Sequence, residues 1–312
     1  MTAEAPQIIY RYQSFNALSL DALCHDQLYF SDPSNFNDPL DCKPSVECDT
    51  DKKTLQKILA ALIERRVTEE ILCSLKVAKV DGENAENHAK NQGQQEAANE
   101  IRNIAYHATN PDYEISVEKA ERKLLTYGIQ SELLKQNNRG VCCFSEEYDN
   151  PLLWSHYGDQ HNGYCVGYSL NRNPKPVVNK VMYGGVRTVK TSLVAQAVLN
   201  QNAEAQKILD GSVLLRKAKS WVYEKEWRIF DNVGLQDSSL KLEEVIFGLR
   251  CSSSVMHSVI EALKPRNINF YHMYSVGDSF DLKRTNDIGD ICAYLPRTSY
   301  SGIEMFGSVD DG

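Results

Sequence analysis

The stretch WVYEKEWRIF, residues 221–230, places charged side chains in a segment that otherwise has the composition of a buried strand. Side chains along a strand alternate between its two faces, so Glu224, Glu226 and Arg228 are predicted to share one face, opposite the tryptophans and the tyrosine. Two carboxylates and a guanidinium on one face can line a ligand cleft, because perturbed charged groups concentrate at functional sites. They can equally form a solvated ladder of surface ion pairs.

A second group of polar and aromatic side chains follows an apolar segment in VCCFSEEYDNPLLWSHYGDQHNGYCVGY, residues 141–168. The binding candidates in it are Ser145, Trp154, His156 and Tyr157. A metal site is not favoured, because His156 and His161 are five residues apart and lack the i, i+4 spacing of two ligands on one helix. A thiol nucleophile is not favoured either, since the cysteines here lie in apolar segments, where burial leaves thiols inert.

The third candidate is Arg11, which lies inside the apolar strand predicted over residues 7–13. An arginine in such a strand needs an acceptor, because guanidinium groups are rarely buried without a partner. We expect that acceptor to be an acid such as Asp38 or Asp41, or a phosphate or ribose of a bound ligand.

These candidates need strands to position them, and the pattern predicts strands on both sides of a helical block. The first strand, a short helix capped by Ser19 and a second short strand form an N-terminal strand-helix-strand unit. Apolar residues at helical spacing then predict helices within residues 50–137, with Ser116 as a cap and Asn137–Asn138 as the stop. The Asn- and Gln-rich segment between these helices is predicted to be a solvated helix, a flexible connection, or both.

The β pattern returns at Arg139. The elements predicted from there on are strands over 140–145, 164–170, 176–184, 221–230, 242–249 and 268–276, and helices over 189–218 and 252–264. Because the strands cluster after a helical block, α+β is favoured over a doubly wound α/β fold. Neither a glycine-rich dinucleotide fingerprint nor a P-loop pattern occurs.

The same pattern predicts how the chain is divided. Residues 1–49 form the N-terminal strand-helix-strand part of a core, 50–138 a helical insert, 139–285 the remainder of the β-rich core, and 286–312 a tail. The class expected from this pattern is therefore α+β.

Composition narrows the classes of function. The net charge is −8 and no basic block is evident, which argues against broad nucleic-acid binding. The nine cysteines are scattered without a C-x-x-C pair, so neither a disulfide framework nor a zinc ribbon is expected, and we expect reduced thiols in a cytoplasmic protein. The N-terminus lacks the pattern of a signal peptide and no apolar run approaches the length of a membrane span, so no membrane partner is expected.

Three segments, taken in order, resemble one family. IYRYQSFNALSLDALCHDQLYFSDPSNFNDPLDC, CFSEEYDNPLLWSHYGDQHNGYCVGY and KSWVYEKEWRIF look like the bacterial domain of unknown function 2971 family, over roughly residues 8–250. That family carries no known activity. More distantly, a first strand with Tyr-Arg, a later strand ending in Ser and a segment with Glu-x-Glu resemble the R-S-E layout of ADP-ribosyltransferases, whose split, mostly antiparallel core holds NAD.

The distant resemblance implies roles for particular residues. Arg11 would grip the NAD phosphate and ribose, and Ser145 would support the nicotinamide ribose. Glu226 would be the catalytic glutamate, Glu224 would assist the acceptor, and Arg228 would hold a glutamate ionised. The full predicted site is catalytic Glu226 and Glu224 with NAD-binding Arg11, Ser145, Tyr157, Trp154, His156 and Arg228; NAD is the substrate and no metal is expected.

Three functions follow as alternatives. The first is an NAD-dependent ADP-ribosyltransferase-like enzyme, a bacterial toxin or phage-defence effector that modifies a protein or nucleic acid, or hydrolyses NAD through an oxocarbenium-like transition state. The second is a non-catalytic nucleotide- or protein-binding module of a defence system. The third is a metal-independent nuclease that uses His156 and nearby acids. Homo-oligomerisation is compatible with each of them.

Overall fold

The computed structural model describes residues 5–136, 139–289 and 296–306. The described strands are β1 Ile8–Gln13, β2 Gln27–Phe30, β3 Ser45–Glu47, β4 Arg139–Ser145, β5 Tyr164–Ser169, β6 Asn179–Lys180, β7 Met182–Tyr183, β8 Thr188–Lys190, β9 Arg216–Lys217, β10 Glu226–Asn232, β11 Gly234–Asp237, β12 Lys241–Phe247, β13 Asn269–Ser275 and β14 Leu282–Thr285.

The described α-helices are α1 Ala17–Cys24, α2 Lys52–Val77, α3 Glu83–His107, α4 Val117–Gln136, α5 Pro151–His156, α6 Thr191–Val198, α7 Ala203–Leu214, α8 Ser253–Leu263 and a short helix at Gly302–Phe306. Two 3-10 helices cover Pro33–Asn35 and Lys219–Glu224. The fold is thus mixed α and β.

The chain divides into two compact units. The first unit comprises the described residues of Met1–Leu28, Cys143–Val177 and Leu235–Gly312. The second unit comprises the described residues of Tyr29–Cys142 and Val178–Gly234.

The first unit is built on an open, mostly antiparallel sheet. Five of the sheet strands lie in this unit, in the order β14-β13-β12-β5-β1, and among their pairs only β12–β13 is parallel. The last residue of β4, Ser145, pairs with Tyr10 of β1. All six residues of β5 are buried, which explains why YCVGYS is apolar without alternation. The predicted strand at this position is confirmed.

Helices dominate the second unit. The apolar residues predicted to face a core along α2 are buried, from Leu55 at 0% exposure to Ile63 at 2%. The Asn- and Gln-rich segment is helix α3, which turns a stripe of small residues toward α2. A Cβ on Gly93 would lie 2.7 Å from the carbonyl oxygen of Glu64, so glycine is what allows the two helices to approach so closely.

The strand predicted over 221–230 is wrong in its first half. Residues 219–224 form a 3-10 helix, in which the amide of Trp221 donates to the carbonyl of Ala218. Lys225 then adopts a left-handed conformation with φ 44°, and β10 begins only at Glu226. The alternation argument therefore holds for Glu226 and Arg228 but not for Glu224.

Other predicted boundaries also need correction. The helix predicted over 189–218 is two helices between short strands, because Asn202 interrupts it and caps α7 through the amides of Glu204 and Ala205. Asn16, not Ser19, is the cap of α1, and Ser19 completes the capping box from the third helical position.

Two further differences concern strands. The strand predicted over 176–184 is reduced to β6 and β7, and β14 follows the strand predicted as the last. Helix α4 is described as far as Gln136, so the predicted stop at Asn137–Asn138 lies outside the described residues, as does part of the tail from 286.

Candidate functional site

The second unit contains a cluster of five buried charged side chains, which we call the buried ion network. Its members are Asp41, Lys217, Glu224, Glu226 and Arg228, each no more than 7% exposed. Three are acids and two are bases, drawn from a loop, from β9, from the 3-10 helix and from β10. Glu224 and Glu226, which the sequence prediction grouped together, are thus both members of this larger network.

Arg228 is the centre of this network and is 0% exposed. Its Nε donates to Glu226 Oε1 at 2.7 Å, and its Nη2 donates to Asp41 Oδ2 at 2.7 Å. Its Nη1 donates to the carbonyl oxygen of Leu214 at 2.7 Å and lies 3.0 Å from the Sγ of Cys42. The planar donor set of arginine suits this role, since a lysine could not reach acceptors in so many directions.

Lys217 binds both Glu224 and Glu226. Its Nζ lies 2.5 Å from Glu224 Oε2 and 2.9 Å from Glu226 Oε2. Burial lowers the pKa of Lys217, but Glu226, Glu224 and Asp41 together raise it by more, so the net shift is upward and the ammonium stays charged. The 3-10 helix, which the sequence prediction missed, is what brings Glu224 to this lysine.

Both carboxylate oxygens of Glu226 are engaged. Oε1 accepts from Arg228, and Oε2 accepts from Lys217 at 2.9 Å and from Arg228 at 3.2 Å. The residue is 3% exposed, and its backbone amide is bound by the hydroxyl oxygen of Tyr183. Glu226 is therefore held in place by Lys217 and Arg228, and its burial leaves it little surface for contact with a ligand.

Cys42 borders the network in a strained conformation, with φ 54°. Burial, and then the nearby Asp41, outweigh the opposing effect of Arg228 and raise the pKa of the Cys42 thiol to about 12. The thiol is therefore protonated and inert at neutral pH. A cavity of about 380 Å³ in the same unit has Cys42 and Leu214, both in contact with Arg228, in its wall, together with Lys43 and Lys135.

The other predicted site residues lie in the first unit. Ser145 is buried and its Oγ accepts from the amide of Glu147. Ser145 pairs with Tyr10, whereas Arg11 pairs with Val166. Paired residues share a face and successive residues alternate, so the strand register directs Ser145 and Arg11 to opposite faces of the sheet.

The aromatic candidates are distributed over different environments. Trp154 is 0% exposed, its Nε1 donates to the carbonyl of Tyr148 at 2.7 Å, and its ring packs against those of Tyr12 and His161. It is a core residue and has no free face for a nicotinamide ring. His156 is exposed and Tyr157 half-buried at the end of α5.

The predicted site residues belong to two different units. Glu224, Glu226 and Arg228 belong to the second unit, and the remaining predicted residues belong to the first. Asp41, predicted as an acceptor for Arg11, binds Arg228 and Lys217. Lys217 was missed because its position in a predicted helix gave no sign of burial.

A second charge cluster, which we call the Arg284 cluster, lies in the first unit and was also missed. Arg284 Nη1 lies 2.5 Å from Glu244 Oε1, and its guanidinium lies 4.4 Å from the ring centre of Tyr148 and 4.2 Å from that of Tyr271. Burial, and then the charge of Glu244 and a hydrogen bond to it, raise the pKa of Tyr10. The sequence feature that could have indicated this cluster is a glutamate within the apolar segment LEEVIFGL.

A β-bulge positions this glutamate. The register of β12 against β5 shifts between Leu242 and Glu244, so that Glu243 is the extra residue. Glu244 then packs over Gly167, where a Cβ would lie 2.5 Å from Glu244 Cγ. A larger residue at 167 would displace the carboxylate from Arg284.

Comparisons with known proteins give one match. Residues 153–229 match the model of the family described as "Protein of unknown function (DUF2971)", which supports the family resemblance over that stretch. The match covers Trp154, Lys217, Glu224, Glu226 and Arg228, and parts of both units. Searches of curated proteins and of solved structures each return no match to the chain.

Two further properties concern the described residues alone. Their cysteines are free thiols, and no group of three or more His, Cys, Asp or Glu side chains is arranged to hold a metal ion; Cys292 lies outside them. None of the helices at 5–136, 139–289 or 296–306 has both the length and the apolar content needed to cross a bilayer.

Proposed function

We propose that the protein is a non-catalytic binding module, and that the buried ion network is the structural centre of its second unit. One observation carries this proposal: both oxygens of the Glu226 carboxylate are bound by Lys217 and Arg228, and the residue is 3% exposed. A carboxylate held in this way links Lys217 of β9 to Arg228 of β10. It does not present a free oxygen to a substrate.

Chemistry at NAD would require a different environment. Cleavage of a glycosidic bond develops positive charge on the sugar, and a carboxylate assists only where it can contact that sugar. Moving Glu226 to such a position would take one charged acceptor away from each of the buried side chains Lys217 and Arg228. The cost of separating a buried pair is about 3–5 kcal/mol, which favours a structural role.

The proposal is tested by measuring nicotinamide release from NAD together with thermal unfolding. We expect no release above the buffer rate. Glu226→Gln should lower the free energy of unfolding by about 1–3 kcal/mol, because Lys217 and Arg228 lose a charged acceptor and the amide NH2 of glutamine cannot accept from either of them. The matched control is Glu47→Gln, an exposed strand residue of the same unit, which should change stability by less than about 0.5 kcal/mol.

A particular result would overturn the proposal: NAD turnover by the wild-type protein that Glu226→Gln abolishes while the unfolding temperature stays unchanged.

An ADP-ribosyltransferase-like enzyme is the second candidate function. The mostly antiparallel sheet and the order of Arg11, Ser145 and Glu226 along the chain favour it. In that case the acceptor would be a macromolecule or water, and a toxin or phage-defence role would follow by analogy. Transfer of label from radiolabelled NAD to protein or nucleic acid, lost in Glu226→Gln, is its expected signature.

A further inference from the structure

Arg284 has one edge of its guanidinium group that the described part of the chain does not use. Its Nη1 lies 2.5 Å from Glu244 Oε1, whereas its Nε and Nη2 have no acceptor among the described residues. The side chain is 25% exposed, so a ligand in solvent can reach these donors. Together, Nε and Nη2 form the planar fork with which arginine binds a carboxylate or a phosphate through two parallel hydrogen bonds.

Arg172, in the same unit, uses the corresponding edge within the chain. Its Nε donates to the carbonyl oxygen of Leu240 at 3.0 Å, and its Nη2 donates to Asp26 Oδ2 at 2.5 Å. Its side chain is 38% exposed, which is more than that of Arg284. Exposure by itself therefore does not explain why the edge of Arg284 is left open.

The contacts around Arg284 hold this open edge in one orientation. The ring centres of Tyr148 and Tyr271 lie 4.4 Å and 4.2 Å from the guanidinium carbon. Glu244 is 4% exposed, hydrogen-bonds to the Tyr10 hydroxyl and is positioned by the β-bulge of β12. Bulges of this kind often direct a side chain next to a functional site. Because the guanidinium is already immobilised, it loses little conformational freedom when it binds a ligand.

We propose that the open edge of Arg284 binds the phosphate or carboxylate group of a small ligand. Two oxygens of that group would accept from Nε and Nη2, in the plane of the guanidinium. Glu244 cancels the charge of Arg284 beyond contact distance, and the chain has a net charge of −8. Binding therefore comes from these two hydrogen bonds and not from long-range attraction. The inference rests on the proposed binding function, for which it names the class of ligand.

The test is isothermal titration calorimetry of the full chain with inorganic phosphate, ADP and succinate as probes. Saturable binding of phosphate and ADP identifies a phosphorylated ligand, and binding of succinate alone identifies a carboxylate. Arg284→Lys keeps the positive charge but removes the planar fork. It should weaken binding at least about tenfold, as expected for the loss of one charged hydrogen bond.

The control is Arg172→Lys, which makes the same change in the same unit at an arginine whose edge is occupied. It should bind like the wild type, and circular dichroism should show both variants to be folded. A second measurement needs only the wild-type protein. Phenylglyoxal modifies accessible arginines, and mass spectrometry of the peptides locates the modification. The bound probe should slow the modification of Arg284 and leave that of Arg172 unchanged.

Two results would overturn the inference: equal weakening of binding by Arg284→Lys and Arg172→Lys, or modification of Arg284 that none of the three probes slows. The two proposals also fail in different ways. NAD turnover by the wild type would defeat the non-catalytic function and leave the Arg284 result standing. Failure of all three probes to bind, without NAD turnover, would defeat only the class of ligand.

Discussion

The buried ion network of the second unit and the Arg284 cluster of the first contain the same kinds of side chain. Each pairs a buried glutamate with an arginine, and each has a thiol nearby, Cys42 in one and Cys165 in the other, whose pKa burial raises. They differ in the burial of the arginine, because Arg228 is 0% exposed whereas the Arg284 side chain is 25% exposed.

That difference determines what each cluster can do. Arg228 binds Asp41 and Glu226, residues 187 and 2 positions away in the chain, so it joins separate segments of the second unit. Arg284 binds one carboxylate, is flanked by two rings and keeps contact with solvent. A fully desolvated arginine depends on each of its acceptors, while a partly exposed one can exchange an acceptor for water.

The largest expected effect is on the reactivity of the thiols. A rise in the pKa of Cys42 from 9.0 to about 12 lowers its thiolate fraction at pH 8 about a thousandfold, and burial slows the reaction further. In native protein, Cys24 and Cys73, both exposed, should react with a thiol reagent while Cys42 and Cys165 do not. Mass spectrometry of labelled peptides measures this.

The raised pKa of Cys42 also makes the stability of the folded state depend on pH. The folded state holds the Cys42 proton more tightly than the unfolded state, so its contribution is present below pH 9 and is lost as the pH rises toward about 12. Rapid native labelling of Cys42 at a rate comparable to that of Cys24 would show that the network is open to solvent.

The next largest effect is expected for Arg228→Met. It leaves the carboxylates of Asp41 and Glu226 buried without their guanidinium, which should lower the free energy of unfolding by about 3–5 kcal/mol. Urea unfolding followed by tryptophan fluorescence measures the loss. A loss under 1 kcal/mol would mean that the network contributes little to the fold.

Arg284→Met should have a smaller effect, about 1–3 kcal/mol, because water and the Tyr10 hydroxyl remain for Glu244. The control is Glu69→Gln, which removes the exposed Arg65–Glu69 pair and should cost no more than about 0.5 kcal/mol. If Arg284→Met were as costly as Arg228→Met, exposure would not be what separates the two clusters.

The sequence by itself determined the local elements whose pattern matches their burial. The five apolar residues of α2 are an example, since helical spacing and burial agree there. So is β5, which is apolar throughout because the strand is buried along its length. The alternation of β10 likewise placed Glu226 and Arg228 on one face, because two-residue spacing is a property of any strand.

Only the tertiary structure decided which charges meet. The 3-10 helix over Lys219–Glu224 brings Glu224 to Lys217, and it ends at Lys225 in a left-handed conformation that no propensity predicts. The contact between Asp41 and Arg228 joins residues far apart in the chain, and the bulge before Glu244 changes which face its side chain occupies. Local pattern does not contain such contacts, because the burial of a charge depends on which distant group compensates its desolvation.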